Sequence, residues 1–451
     1  MTHSPFSNKT YIKLFLAQVI SLVGTGVTTI ALALLAWQLA KDEAGQVLGI
    51  ALSLKMVAYV FFTPLITAYV HKLPRRVWLV SLDVIRAGIV LYLPFVTEVW
   101  EIYLLLFLIN LCSAGFTPVF QATISDIIKD ELAYKKALSY SRLAYDLEQL
   151  LSPSFAAVLL VFISFSTLFI LDSLTFVVSA ILISMCVIPN IKKIEFDTSV
   201  KERVLFGISS YLKTPRLKAL LFLYMSVALA SAMMITNTVV YVSQYLQKGE
   251  SFVAIAMAFS GFGSMIVAIF LPKFLEKIQL RIVVLFGSMI LVLALFLSSF
   301  SPTWVYFVIL WFILGVGLSL VQVPAGFLVR LSCKEEDSIS FFSANFSLSH
   351  LCWMFAYIIA GVMGVKIGLE NTFLVFAVLA LIATVIAYKT YPNPDNLELE
   401  HTHEEMVHSH DMIDDEHHKN CLSLNAKRHV HKKITHKHKF VIDHHHNKWP
   451  Q

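Results

Sequence analysis

Twelve stretches of this chain are apolar over roughly the 20 residues an α-helix needs to cross a hydrocarbon layer about 30 Å thick. They fall at 11–38, 46–70, 77–96, 102–124, 139–163 and 166–188, and then, after a polar gap, at 217–246, 251–271, 282–299, 303–329, 339–364 and 370–390. Backbone N–H and C=O groups inside lipid find no water, so each run must satisfy its own hydrogen bonds as a helix. Hydrophobic residues make up 57% of the chain and charged residues only 14%. With a mean hydropathy of +0.72, this balance excludes a water-soluble globular domain. The expected fold is an all-α membrane protein of twelve transmembrane helices. Residues 1–188 form one six-helix half and 216–390 the other, joined by a polar linker over 189–215 and followed by a tail over 391–451.

Lysine and arginine set the orientation. With both ends on the inner side, the inner loops hold Lys72, Arg75, Arg76, Lys129, Lys135, Lys136, Lys273, Lys277, Arg281, Arg330 and Lys334, and the linker region adds Lys192 through Lys218. The outer loops offer only Lys41, Lys248 and Lys366. Both termini are therefore expected in the cytoplasm. No short apolar core bracketed by a charged segment and a small-residue cleavage site marks the N-terminus as a removable signal. The cysteines at 112, 186, 333, 352 and 421 form no close pair, so no disulfide framework is indicated.

The tail is the second constraint. Thirteen of the sixteen histidines lie after Pro394: His401, His403, His408, His410, His417, His418, His429, His431, His436, His438, His444, His445 and His446. A His-x-His-x4-His-x-His pattern at 401, 403, 408 and 410 recurs at 429, 431, 436 and 438. Neutral imidazole is a ligand for Ni, Zn, Cu and Fe, so these residues are candidate metal ligands. Few apolar residues lie between Pro392 and Gln451, and a disordered tether is expected. Its charges are segregated: nine carboxylates and no Lys or Arg from Asp395 to Glu416, then eight Lys or Arg and only Asp443 from His417 to Gln451. Such a tether would raise the local metal concentration near whatever entrance it reaches.

Two six-helix halves around a basic linker are the repeat layout of secondary transporters. No GxxxxGK[ST] phosphate loop and no DKTG-type phosphorylation segment occurs, so an ion gradient is the expected energy source. An enzyme is not expected, nor a cofactor, nor nucleic acid as a partner. The lipid bilayer, a divalent metal and protons are, with the chain working as a monomer.

Over residues 10–390 the chain resembles the major facilitator superfamily, through its helix count and the basic loop after the second helix. The family's loop motif reads Gly-x-Leu-Ala-Asp-Arg-x-Gly-Arg-Arg. Aligned on Arg75 and Arg76, this chain has Thr67, Tyr69, Val70, His71, Lys72 and Pro74. The resemblance implies a gating loop at His71, Lys72, Arg75 and Arg76, with histidine where the family carries its aspartate. Gly24-Thr25-Gly26, Leu54-Lys55-Met56-Val57-Ala58-Tyr59, the run from Ser141 to Glu148 and the run from Ser347 to Trp353 look like bacterial nickel-resistance exporters, which also end in His-rich cytoplasmic tails. That resemblance implies a bacterial inner-membrane exporter of Ni2+ or Co2+. Siderophore and macrolide exporters belong to the same branch and leave the cargo open.

Ionisable groups at depth in a membrane are costly and usually face a bundle interior or a water-filled cavity. Lys55 lies about 13 Å from the outer end of its helix at 1.5 Å per residue. It is read as pairing with a carboxylate or meeting an anionic cargo. Arg142 and Asp146 are spaced to pair along one helix face. Glu148, about 200° round from Asp146, points elsewhere, and is preferred as the proton-exchanging or metal-attracting group, with a structural ion pair as the competing reading. Asp172 reads as a carboxylate near a helix N-terminus. His350 sits near mid-bilayer on a face shared with Ser347 and Met354, with Cys352 turned away. It is read either as a metal or cargo ligand or as a core histidine hydrogen-bonded to a neighbouring helix. Asn110, Gln121 and Asn237 offer neutral oxygens or interhelical hydrogen bonds.

The mechanism these residues suggest is alternating access: the halves rock about a central cavity, metal leaves the cytoplasm and protons enter. The alternative keeps the fold and exports an anionic siderophore or amphiphilic drug, with Lys55 as the recognition element and the tail as buffer or sensor.

Overall fold

The computed structural model describes residues 4–40, 44–189, 199–300 and 303–395, and in the tail 398–403, 406–409, 422–423, 428–431, 434–442, 446 and 449. Lys41, Lys192 and Lys193 lie outside the described residues. Between Lys9 and Thr390 the described residues are mostly helical and build the two expected halves. The first comprises α1 (Lys9–Ala40), α2 (Ala44–Val57) continuing into α3 (Thr63–Thr67), α4 (Arg75–Tyr92), α5 (Val99–Ile127), α6 (Glu131–Phe162) and α7 (Phe165–Ser184). The second comprises α9 (Pro215–Val240), α10 (Glu250–Phe274), α11 (Leu280–Ser298), α12 (Trp304–Leu331), α13 (Ser338–Ile367) and α14 (Leu369–Thr390). Between them α8 (Val200–Lys213) occupies the linker.

Local chemistry sets these boundaries. Asp130 caps α6 by accepting a hydrogen bond from the Ala133 amide at 2.7 Å, so the helix starts eight residues before the apolar run begins at 139. α5 and α8 each open with a capping box, Glu98 with Glu101 and Ser199 with Glu202. Among the described residues eleven helical spans are long and apolar enough to cross a membrane. The twelfth, α6, spans 32 residues; Arg142, Asp146 and Glu148 on it lower its apolarity and mark it as the helix that carries charge into the bundle.

Within each half the helices pack closely. A Cβ on Gly315 of α12 would lie 1.8 Å from the Ser260 carbonyl oxygen of α10, and one on Gly263 of α10 would lie 2.2 Å from that of Phe312. Reciprocal small residues thus bring these two backbones together, the usual device where lipid removes the hydrophobic drive between helices. The halves meet along two seams: α6 against α10 and α12, and α13 against α2, α3 and α5.

β1 (Glu398–His403) pairs antiparallel with β5 (Ile434–Lys439), and β4 (Arg428–His431) pairs with both β2 (Met406–Ser409) and β3 (Leu422–Ser423). Charge segregation supplies a physical reason. The β1–β5 register sets Glu398 opposite Lys439 and Glu400 opposite Lys437, joining the acidic half of the tail to the basic half. Beyond β5, Phe440, Val441, Ile442 and His446 are buried.

Candidate functional site

Pro64 has no N–H to donate to the carbonyl four residues back, which belongs to Val60. The helix answers with a wide, π-type turn over Ala58–Phe62, a local irregularity common at functional sites. The Val60 carbonyl instead accepts a hydrogen bond from Ser347 Oγ of α13, 2.5 Å away and in the opposite half. One proline in the first half therefore creates the docking point for the second. Immediately beside it the ring of Tyr59 meets the rings of Phe346 and His350, each at 4.9 Å between centroids.

His350 is thus at the seam between the halves. Its Nδ1–H donates to the Phe346 carbonyl at 2.7 Å. A carbonyl can only accept, so Nδ1 carries the proton of this bond, and in the neutral ring the lone pair is left on Nε2, the form in which imidazole ligates metals. The bond lies within its own helix, not to the neighbouring helix that the core reading expected. Lys55 interacts electrostatically with both His350 and Glu148, and its ammonium lies 5.6 Å from the Tyr59 ring centroid. Lys55, Tyr59, Glu148 and His350 are therefore one neighbourhood, drawn from α2, α6 and α13.

The two α6 carboxylates face apart, as their spacing requires. Glu148 points to α1, where a Cβ on Gly26 would come within 2.9 Å of Glu148 Oε1 and 1.9 Å of Ser152 Oγ. Gly24, one turn-half earlier, leaves the corresponding space for Asp172 and Thr175 of α7. Gly26→Val is accordingly expected to push α6 from α1 and to displace Glu148, an overpacking cost of about 1–3 kcal/mol. Transport should fall steeply while the amount of protein in the membrane stays near normal. Adding Ser152→Ala should restore part of it, as measured by cargo flux per unit of inserted protein.

Asp146 turns the other way. Its Oδ1 pairs with Arg142 at 2.9 Å, and Arg142 reaches across the seam, donating to Ser264 Oγ of α10 at 3.0 Å and to Gln322 Oε1 of α12 at 2.7 Å. Other bonds between the halves gather from here to the end of the bundle where the basic loops lie. They include Lys129 with Glu335 at 2.5 Å, Arg330 to the Lys129 carbonyl at 3.0 Å, Lys135 to the Leu275 carbonyl at 3.4 Å and Thr67 with Ser343 at 2.7 Å. The molecule is latched at its basic end.

The remaining candidates divide. Arg75 of the basic loop is buried and pairs with Asp126 of α5, which also accepts from Ser338 Oγ of α13. Lys72 and Arg76 are exposed, Lys72 stacking over Tyr69 at 4.7 Å, and the side chain of His71 lies outside the described residues. Asn110 spends its amide on the Leu106 carbonyl of its own helix at 2.7 Å, and Asn237 donates to Met233 Sδ at 3.2 Å beside Gly364. Cys352 faces α9, its thiol 3.9 Å from the Leu221 carbonyl, away from the seam; Met354 and Gln121 are partly buried. The cysteines 112, 186, 333 and 352 are buried, and none of them is in a disulfide. Asp172 is not at a helix start: α7 begins at Phe165, so the carboxylate lies two turns inside, buried and hydrogen-bonded by Thr175.

Sequence reasoning passed over Asp83 and Arg86. They form a buried ion pair in α4, completed by Ser179 Oγ of α7 donating to Asp83 at 2.7 Å, with the guanidinium over Phe116 and Phe176. An acid and a base three residues apart inside an apolar run was the available signal. Of the tail histidines, His410, His417, His418, His444 and His445 lie outside the described residues, as do the side chains of the seven in strands. Among the described residues no group of three His, Cys, Asp or Glu side chains converges as a metal site.

Two latched six-helix halves around a polar seam define a multi-pass membrane transporter, not an enzyme. The chain belongs to the Major Facilitator Superfamily, whose family model matches it over residues 14–282 and again over 220–433. No curated protein sequence matches it. Among solved structures it is similar to the human organic anion transporter MFSD10 (TETRAN), with a TM-score of 0.73 and 13% identity over 84% of this chain and 99% of that one. A bacterial homologue of the iron transporter ferroportin, in an outward-facing state with soaked iron, gives 0.66 and 13% over 84% and 98%. FucP, the E. coli fucose:proton symporter, in its outward conformation gives 0.67 and 11% over 85% and 98%. At these identities the likeness carries the fold alone.

Proposed function

We propose that this transporter exports a divalent transition metal, Ni2+ first and Co2+ second, from the cytoplasm of a bacterial cell in exchange for protons. The observation that carries the reading is His350: an imidazole at the seam, tautomer set so that Nε2 keeps its lone pair, packed on the turn where the halves dock. A cation held there touches both halves, and protonation competes for the same electron pair, which is the chemistry an exchanger needs. Glu148 supplies the negative charge that offsets Lys55. With the basic loops in the cytoplasm, the latched state faces outward and metal is released there. The histidine tail gathers metal at the cytoplasmic end. A bacterial homologue of the iron transporter ferroportin, similar to this chain in fold, has been crystallised with soaked iron.

Lys55 favours one other reading, in which an anionic organic cargo meets the ammonium directly; the likeness to an organic anion transporter fits it. Cells with and without the protein, challenged with sublethal Ni, Co, Zn, Cu and Fe, separate the two. Metal export predicts that the cellular content of one metal falls as tolerance rises. Unchanged content for every metal would transfer the assignment to the organic anion.

A further inference from the structure

We propose that Asp172, on α7 in the first half, is a proton-binding site separate from the seam, switched by Arg86 of α4. The proposal rests on the reading of this protein as a proton exchanger and names a residue that carries the proton. Asp172, Phe176 and Ser179 follow one another along one face of α7. The Arg86 guanidinium lies over the middle one, 4.6 Å from the Phe176 ring centroid. On the Ser179 side, Asp83 pairs with Arg86 and accepts a hydrogen bond from Ser179 Oγ at 2.7 Å. On the other side, Asp172 accepts from Thr175 Oγ1 at 3.1 Å and interacts electrostatically with the same guanidinium. One cation stands between two carboxylates. Asp83, Arg86 and Asp172 are only 0%, 7% and 1% exposed, so water does not screen them.

Charge counting names the occupant. Two carboxylates and one guanidinium leave one negative charge inside a six-helix half, where an uncompensated ion is costly. One proton removes it. The proton belongs on Asp172 in this state, because Arg86 is already paired with Asp83 and Asp172 makes no ion pair among the described residues. Two buried donors stand ready beside it. The Thr28 hydroxyl of α1 faces the Asp172 carboxylate, and neither it nor Arg86 Nε meets a partner at hydrogen-bonding geometry among the described residues. α1 approaches through Gly24, where a Cβ would lie 2.3 Å from Asp172 Oδ1, and it presents no titratable group here. The Leu93–Phe95 turn that also packs on α7 carries none. Tyr145 of α6 and Cys112 of α5 interact with Arg86, and Asp83 completes the titratable groups around it. Asp172 is nearer the end of α7 opposite the basic loops, and Asp83 lies about 12 Å from the basic end of α4 at 1.5 Å per residue. A proton from the outer water adds to the Asp172 carboxylate. When it leaves toward the cytoplasm, the restored carboxylate competes with Asp83 for Arg86, and the contact between α4 and α7 changes with the proton.

The test combines infrared spectroscopy with flux. In the full-length protein in detergent, a carboxylic-acid carbonyl band should disappear as the pH is raised, be absent from Asp172→Asn and remain in Glu148→Gln. Asparagine keeps the shape and an acceptor for Thr175, and has no carboxyl proton to lose. In vesicles, Asp172→Asn should lose the accumulation of Ni2+ driven by a pH gradient. It should still exchange labelled for unlabelled Ni2+, a cycle with no net proton movement. Asp172→Glu should keep the accumulation and shift the same band, which decides the matter if the asparagine variant does not insert; an unshifted band there counts against the site. A band unchanged in Asp172→Asn, or accumulation equal to that of the unaltered protein, would overturn the proposal. Absence of any Ni2+ exchange by the unaltered protein, with the band still lost in Asp172→Asn, would strike the metal reading and leave this site standing.

Discussion

Arg142→Leu is expected to abolish transport and to destabilise the protein by about 3–5 kcal/mol, the range seen when one partner of a buried ion pair is removed. Two losses combine. Asp146, 2% exposed, is left as an uncompensated charge, and the guanidinium that ties α6 to Ser264 and Gln322 is gone. The double variant Arg142→Leu with Asp146→Leu separates them: it should recover most of the stability, since an apolar pair of similar volume replaces the ion pair, yet remain inactive because the latch is still missing. Thermal unfolding in detergent reads the first quantity and flux in vesicles the second. Recovery of both together would reduce Arg142 to a structural role.

His350→Ala carries the other large effect. Metal export should fall at least about 10–100-fold, the loss seen when even outer-shell partners of a metal ligand are removed, with stability little changed because Ser347 still docks on Val60. Deletion of the tail after Pro394 should only blunt export. Lys55→Ala sharpens the contrast: a metal carrier loses a repulsive neighbour and keeps activity, whereas a carrier of organic anions loses its recognition element. Export rates for the three variants, normalised to protein in the membrane, give the comparison.

Much of this was legible in the residues. Twelve apolar runs and a basic gap gave the halves, and the Arg142, Asp146 and Glu148 spacing gave one inward-paired and one divergent carboxylate, as observed. Other features were hidden for physical reasons. The π-type turn at Ala58–Phe62 depends on a carbonyl that Pro64 frees and on a serine nearly three hundred residues away that fills it. Asp126 lies just past the apolar run that ends at 124, and nothing local in the sequence points to its partner, Arg75, across the bundle end. The tail strands follow from pairing opposite charges across some forty residues, which no local pattern announces. The apolar run at 166 marks the start of α7 at Phe165 closely, so Asp172 was misplaced by counting a position two turns inside as part of the helix end.

The most direct test of metal–proton exchange uses purified protein in vesicles with an imposed pH gradient. With the cytoplasmic side outward and the lumen acidic, Ni2+ should accumulate inside, stop when an ionophore collapses the gradient, fail with His350→Ala and persist without the tail. Ni2+ excluded under every gradient, while an organic anion moves and Lys55→Ala stops it, would contradict the account.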